Sequence, residues 1–303
     1  MRIAYISYNQ LMDDIRDNLW KIPRDTDLVL SVPRSGTAIA GIITKYLNVN
    51  MMTIQEFCGV VLSGGGEEEL KKRCFKGRAL ILNKSIKNIL VVDDTIYSGG
   101  QMNVWRTELT KDAYKNYSFT LMAVYKEWTV EPDLYLKDIS NLAASSPFKS
   151  VLYEWTLWYR YDISQYLAFD LDGVLCLDPP SDENKDAYEE YIRNPIPYHL
   201  PAIPKGGFNT TVITYRIEPY REITANWLSS LGILGNLYMV NAKSREERNQ
   251  LVTPWDYKAY VYGNNPNLLL YVESNDYEAQ MIHQITKKPV LCISTNKLYQ
   301  TED

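Results

Sequence analysis

Histidine is almost missing from this sequence. The two in 303 residues, His199 and His283, read as structural or surface groups rather than as a catalytic pair. Cysteine is scarce too: Cys58, Cys74, Cys176 and Cys292 show no CxxC or Cys/His spacing, which implies neither a zinc site nor a disulfide framework and makes a reducing cytoplasm the expected compartment. No apolar run approaches the roughly 18 to 20 residues that a membrane span needs, so no transmembrane segment is expected. The opening "MRIAYISYNQ" alternates like a strand and lacks the apolar stretch and small-residue cleavage site of a secretory signal. Lys and Arg form no block long enough to track phosphates, and the net charge is −5 with a pI near 5.3; nucleic acid is therefore not expected as a partner. Repeats and low-complexity segments are absent as well.

What is there is a hydrophobic fraction of 46%, ample for burial, in a chain long enough for two domains. Short β-rich runs alternate with amphipathic stretches: "DLVLSV" before "GTAIAGIITKYL", "RALIL", "NILVV" before "GGQMNVWRTELT", then "SFTLMAVY". A second series opens at "QYLAFDLDGVL" and continues through "TTVITY", "REITANWLSSLGI", "NLYMV", "NLLLYVES" and "KPVLCIS". This alternation predicts an α/β protein with two parallel-sheet domains, over residues 1–150 and 151–303, joined near 140–163. The Pro/Asp-rich "LDPPSDENKD" reads as a surface loop.

The run "ILVVDDTIYSGGQ" ends in two adjacent aspartates, Asp93 and Asp94. Like charges side by side cost energy unless something meets them, and ligands of open parallel sheets bind at the carboxyl ends of strands. Gly99 and Gly100 follow at a helix start, where backbone N–H groups make an anion cradle. Vicinal carboxylates beside such a cradle suit a ribose 5-phosphate. The segment "VVDDTIYSGG" resembles the 5-phosphoribosyl 1-pyrophosphate (PRPP) motif of type I phosphoribosyltransferases. The resemblance implies that Asp93 and Asp94 hold the ribose hydroxyls and that Thr95, Ile96, Tyr97, Ser98, Gly99 and Gly100 surround the 5-phosphate. "LVLSVPRSGTAIA" is similar to the family's pyrophosphate loop, with Arg34, Ser35 and Gly36 at the matching positions. "SGGGEEELKKRCFKGR" (63–78) lies where that family has a mobile loop and carries Lys71, Lys72, Arg73, Lys76 and Arg78, each of which taken singly reads as a solvated cation.

Asp170 and Asp172 in "YLAFDLDGVL" again sit at a strand end before a glycine. The first can attack phosphorus if a Mg²⁺ ion screens the repulsion, and the second can protonate the leaving alcohol and then activate water. The run resembles the first motif of haloacid dehalogenase-like phosphatases. That resemblance implies phosphate binding by Thr214, followed by Arg216, and by Lys258 in "WDYKAYVYG", with Lys243 the poorer choice of lysine. It also implies metal binding by Asp170, Asp172, Glu273 and Asp276, although Glu273 with Asp276 is a looser match to the family's acidic pair. Fewer than 40 residues separate Gly173 from Thr211, so only a minimal cap is expected.

Together the motifs imply sequential chemistry: transfer of 5-phosphoribosyl from PRPP, then removal of the 5-phosphate. The segment "KEWTVEPDLYLKD" lacks a purine-reading pattern, and the open phosphatase site suits a bulky substrate. The expected acceptor is a glycan or lipid-linked saccharide, giving ribofuranose for polysaccharide biosynthesis, by analogy with enzymes of bacterial polysaccharide assembly. The alternative is nucleotide metabolism, a base-directed phosphoribosyltransferase with a nucleotidase domain. A third reading, a PRPP sensor, sits poorly with intact carboxylates at 93, 94, 170 and 172. The aromatics of "YEWTLWYRY" (153–161) read as packing, and the oligomeric state is left open.

Overall fold

The computed structural model describes residues 2–74, 85–128, 132–179, 185–199 and 207–301. The described elements run, in chain order, β1 (Tyr5–Ile6), α1 (Tyr8–Asn18), β2 (Leu28–Ser31), α2 (Ser35–Leu47), β3 (Asn50–Thr53), α3 (Ile54–Leu62), α4 (Glu67–Arg73), β4 (Asn88–Ile96), α5 (Gly100–Leu109), β5 (Ser118–Lys126), β6 (Leu134–Asp138) and α6 (Ser140–Ser145). After them come β7 (Leu152–Tyr153), β8 (Leu167–Phe169), α7 (Lys185–Arg193), β9 (Phe208–Ile217), α8 (Arg221–Ser230), β10 (Ile233–Val240), α9 (Arg245–Leu251), α10 (Pro254–Gly263), β11 (Leu270–Glu273), α11 (Asp276–Thr286), β12 (Val290–Cys292) and β13 (Lys297–Tyr299). The expected strand "RALIL" and the cations Lys76 and Arg78 lie outside the described residues.

Tyr8–Ser145 with Lys149–Val151 form an N-terminal unit around a five-stranded sheet of order β3-β2-β4-β5-β6, parallel throughout. All four residues of β2 are buried, as a parallel strand covered on both faces requires. Thr53 ends β3 and caps α3 directly, its hydroxyl accepting from the Glu56 amide while the Glu56 carboxylate accepts from the Thr53 amide, so strand passes to helix without a loop. The core of this sheet gathers Leu28, Leu30, Phe57, Val91 and Leu121.

The stretch expected as a mobile loop is in part ordered helix. Leu70 of α4 is buried in that core, while Lys71 pairs with Glu67 at 2.6 Å and Arg73 with Glu69 at 2.6 Å, each one helical turn away. The run "GEEELKKR" thus neutralises itself at i,i+4 spacing.

The described residues before Tyr8, Ser146–Phe148 and those from Leu152 onward form the C-terminal unit. The opening residues therefore do not belong to the first domain, as a boundary at 150 had them. β1 pairs in parallel with β7, Ile3 exchanges backbone hydrogen bonds with the Gln300 amide side chain (2.8 and 3.1 Å), and Ile3 is buried among Leu152, Phe169 and Leu291. The main sheet of this unit has the order β10-β9-β8-β11-β12-β13, parallel except for the last pair. Tyr153 is buried and Trp158 packs on Phe169, so these two aromatics of 153–161 are packing groups, while Tyr159 and Tyr161 stay exposed. His199 stacks on Trp158 at 5.0 Å, and the four cysteines are buried and free.

The two sheets share a feature that places both candidate sites. In the N-terminal unit the chain leaves β2 for β3 on one side and then crosses to β4 on the other; in the C-terminal unit it leaves β8 for β9 and β10 before returning to β11. At such reversals the connections diverge and leave a crevice at the carboxyl ends of the two central strands.

The N-terminal sheet is tied to α1 by a buried carboxylate. Asp14 accepts from the Tyr125 hydroxyl at 2.8 Å and from Lys137 Nζ at 2.8 Å, and Gln10 donates to it as well. Asp14→Ala removes the acceptor of the buried Tyr125 hydroxyl's 2.8 Å hydrogen bond and should cost about 1–3 kcal/mol, read as a lower urea midpoint at constant slope. An unchanged midpoint would show that this network carries no stability.

Candidate functional site

The first site is built where β2 and β4 lie side by side. Val32 N donates to Val92 O at 2.9 Å, and α2 starts at Ser35 immediately beyond. Gly36 is forced by this approach: a Cβ there would stand 2.6 Å from Val92 O and 3.3 Å from Asp93 Oδ1. The sequence-separated motifs Arg34-Ser35-Gly36 and Asp93-Asp94 are therefore neighbours. Arg34 is exposed at the helix start, after a cis Pro33–Arg34 peptide.

Asp94 is buried and Asp93 partly so, with Asp93 Oδ1 accepting from the Asp94 amide at 2.9 Å. Burial, and then repulsion from Asp94, pushes the Asp93 carboxyl up to about 8. The loop beyond is shorter than expected. Thr95 and Ile96 still pair with Tyr125 and Lys126 of β5, leaving Tyr97, Ser98 and Gly99 to make the turn into α5 at Gly100. Ile96 is in the apolar core, so its side chain is not part of a phosphate cradle. Thr95 Oγ1 is a buried hydroxyl oxygen with no hydrogen-bond partner, an orphan of the kind that a ligand satisfies. Tyr97 is exposed and meets the exposed Trp128 edge to face at 5.7 Å, a pair that the sequence did not suggest.

The second site is a cavity of about 460 Å³ at the carboxyl ends of β8, β9 and β11, lined among others by Asp170, Asp172, Thr214, Lys258 and Glu273. Five of the residues named from sequence thus converge from well-separated parts of the chain. Lys258, on α10, is buried and donates to Asp170 Oδ2 at 2.7 Å, Glu273 Oε2 at 2.8 Å and Glu278 Oε2 at 2.7 Å. Burial alone would lower its pKa, but Asp170 and Glu273 outweigh that and hold the ammonium well above its ordinary range. Asp170 is raised by burial and by Glu273 against the pull of Lys258. Gly173 has φ +78°, and a Cβ there would fall 2.3 Å from Ser274 Oγ, so the glycine after Asp172 lets the loop lie against the end of β11.

One placement differs from the expectation. Asp276 is not in the cavity; it accepts from Thr295 at 2.9 Å and Tyr299 at 2.8 Å. Glu278 takes the place facing Lys258. Two residues along a helix are about 200° apart in direction, so Asp276 and Glu278 of α11 look opposite ways. Asp172 gives both oxygens to the buried Arg216, from Nε at 2.9 Å and Nη2 at 2.6 Å. Lys243 lines a different cavity. Asp178 and Arg248, which the sequence left unremarked, complete the charged wall.

Among the described residues no group of three His, Cys, Asp or Glu side chains could hold a metal, so the expected four-residue set is not assembled. The chemistry nevertheless fits a hard divalent ion. Five carboxylates (Asp170, Asp172, Asp178, Glu273 and Glu278) face three cations (Arg216, Arg248 and Lys258). Mg²⁺ commonly takes one or two carboxylates and keeps its waters, and Asp170 and Glu273 are the pair that would hold it.

No family model matches the chain, and no curated protein matches it. Among solved structures it is similar to a Helicobacter pylori xanthine-guanine-hypoxanthine phosphoribosyltransferase (14% identity, TM-score 0.34, 51% of this chain and 93% of that one). It is also similar to a purine phosphoribosyltransferase from Pyrococcus horikoshii (18%, 0.33, 51% and 94%) and to a chain of a Pnkp1/Rnl/Hen1 complex (14%, 0.31, 88% and 96%). At such identities and scores these likenesses add nothing to what strand order and site geometry already show. Among the described residues no helix is long and apolar enough to cross a membrane.

Two outcomes test the electrostatics. Because folded Asp93 keeps its proton up to about pH 8 while the unfolded chain loses it near pH 4, this residue's share of stability is present below about pH 4 and lost as pH rises to 8. Asp93→Asn removes that slope, so its melting temperature should exceed the parent's by more at pH 8 than at pH 5; parallel curves would count against it. Lys258→Met leaves Asp170, Glu273 and Glu278 facing one another, and should cost about 3–5 kcal/mol at neutral pH with partial recovery toward pH 5 as carboxylates protonate.

Proposed function

We propose that the chain is a bifunctional, PRPP-dependent phosphoribosyltransferase and phosphatase that leaves a ribofuranosyl residue on a glycan or lipid-linked saccharide acceptor. One observation carries the reading: each unit presents carboxylates at the strand-order reversal of a parallel sheet, beside the unpartnered Thr95 hydroxyl in one unit and the Lys258 ammonium in the other.

In the N-terminal unit, Asp93 and Asp94 accept from the ribose hydroxyls, and Thr95 with the turn at Tyr97–Gly100 receives the 5-phosphate. Arg34, Ser35 and Gly36 face the pyrophosphate. The bond from C1 to pyrophosphate breaks as an acceptor hydroxyl oxygen bonds to C1 and gives up its proton. Inversion of α-PRPP gives a β linkage, and preorganised charge stabilises the oxocarbenium-like centre.

In the C-terminal unit, Asp170 attacks phosphorus, the P–O bond to the ribose oxygen breaks, and Asp172 protonates that oxygen. Water then hydrolyses the aspartyl phosphate while Asp172 takes its proton. Arg216 grips both oxygens of Asp172, which fixes its aim. Thr214 and Lys258 bind phosphate oxygens. Asp170 and Glu273 are the residues that would hold Mg²⁺ at the second site, where the ion would supply positive charge against phosphate oxygens, as it would on the pyrophosphate of PRPP at the first. The exposed Tyr97–Trp128 pair offers a face to a sugar or to a base, so both acceptor classes belong in the test.

The experiment is mass spectrometry of PRPP and Mg²⁺ incubated with the Asp170→Asn variant and a panel of synthetic glycans and free bases. A glycan carrying one added phosphoribosyl group is the expected product, and the unaltered chain should convert it to the form lacking phosphate. A base gaining the group would move the chain to nucleotide metabolism. Asp94→Asn should abolish transfer and leave phosphatase activity intact; loss of both would contradict two independent sites.

A further inference from the structure

Resting on the phosphatase reading, we infer that the C-terminal unit holds a second subsite, which binds the saccharide to which the phosphorylated ribose is attached. A cavity of about 380 Å³ adjoins the charged one: Tyr188 and Arg248 line both. That size is within the range of small-molecule sites, about 300–1,000 Å³. Arg248 is fixed at the join, its guanidinium 4.2 Å from the Tyr215 ring centre and donating to Tyr215 O at 3.2 Å. The second cavity lies beside α7, the one described helix of the minimal cap, and the beginning of α9.

Its lining selects the ligand class. Tyr188 and Tyr220 meet edge to face at 5.7 Å, and the Tyr220 hydroxyl donates to Glu189 at 3.2 Å. Lys243 and Arg245 stand in the same wall as Glu189 and Glu246. Mixed carboxylates and cations accept from and donate to the hydroxyls of a neutral sugar, while a tyrosine face covers its C–H surface. Two tyrosines set edge to face also form no parallel slot for a nucleobase. A phosphate on ribose at Lys258 and Thr214, with its aglycone sugar beyond Tyr188, spans both cavities. The substrate is accordingly a phosphoribosyl saccharide rather than free ribose 5-phosphate or a nucleotide.

The test is calorimetric titration of the Asp170→Asn variant, which does not turn over, with three probes: ribose 5-phosphate, methyl 3-O-(5-phospho-β-ribofuranosyl)-galactoside and adenosine 5′-monophosphate. The disaccharide should bind at least about tenfold more tightly than ribose 5-phosphate. Adding Tyr220→Ala, or Lys243→Gln on the exposed rim as the gentler change, should erase that advantage while shifting ribose 5-phosphate binding less than about twofold. Equal affinities, an advantage that survives both substitutions, or a preference for the adenosine phosphate would overturn the subsite. Phosphate release by the chain with Asp170 intact reports separately on the reaction: no release with the affinity difference present sinks the phosphatase reading alone, and release without that difference sinks the subsite alone.

Discussion

A charge removed from water has to be met by its opposite, and the C-terminal unit is organised around one such meeting. The Lys258 ammonium is buried among Asp170, Glu273 and Glu278, all within hydrogen-bonding distance. Any one of these carboxylates buried alone would be costly to desolvate; together they form a set in which each hydrogen-bonds the same ammonium. The set also fixes how α10 and α11 lie on the sheet, since the groups come from both helices and from the ends of β8 and β11.

The N-terminal unit solves the same problem differently. Asp93 and Asp94 share a strand end, and burial with mutual repulsion lets one of them keep its proton to about pH 8. A ligand that offers hydroxyls to those oxygens relieves the repulsion, and the orphaned Thr95 hydroxyl sits beside them. One unit meets its buried carboxylates with an internal counter-ion, whereas the other meets them by keeping a proton on one. Gly36 is the structural link, because only a residue without a side chain lets the start of α2 come so close to Val92 and Asp93.

Much of both sites was legible from the chain. The apolar runs before Asp93 and Asp170 mark buried parallel strands, and the carboxylates at their ends stand at the strand-order reversals. Of the two lysines named from the sequence, Lys258 reaches Asp170 and Lys243 lines the other cavity. Where the reading failed, direction was the reason. Asp276 and Glu278 are two residues apart on one helix and point to opposite sides, which spacing alone does not tell when the helix start is unknown. The cations at 71 and 73 looked available as a loop, yet in a helix they fall one turn from glutamates.

The sequence by itself determined the alternation of strands and helices, the two α/β units and the carboxylates that end their central strands, because period and composition are local properties. Only the tertiary structure decided the rest. It joined the opening residues to the far unit through β7 and Gln300, paired Arg216 with Asp172, brought Glu278 to Lys258 and opened a second cavity past Tyr188. Those contacts span from 20 to 297 residues of chain, and what meets across such distances is set by the packing of sheets and helices against one another.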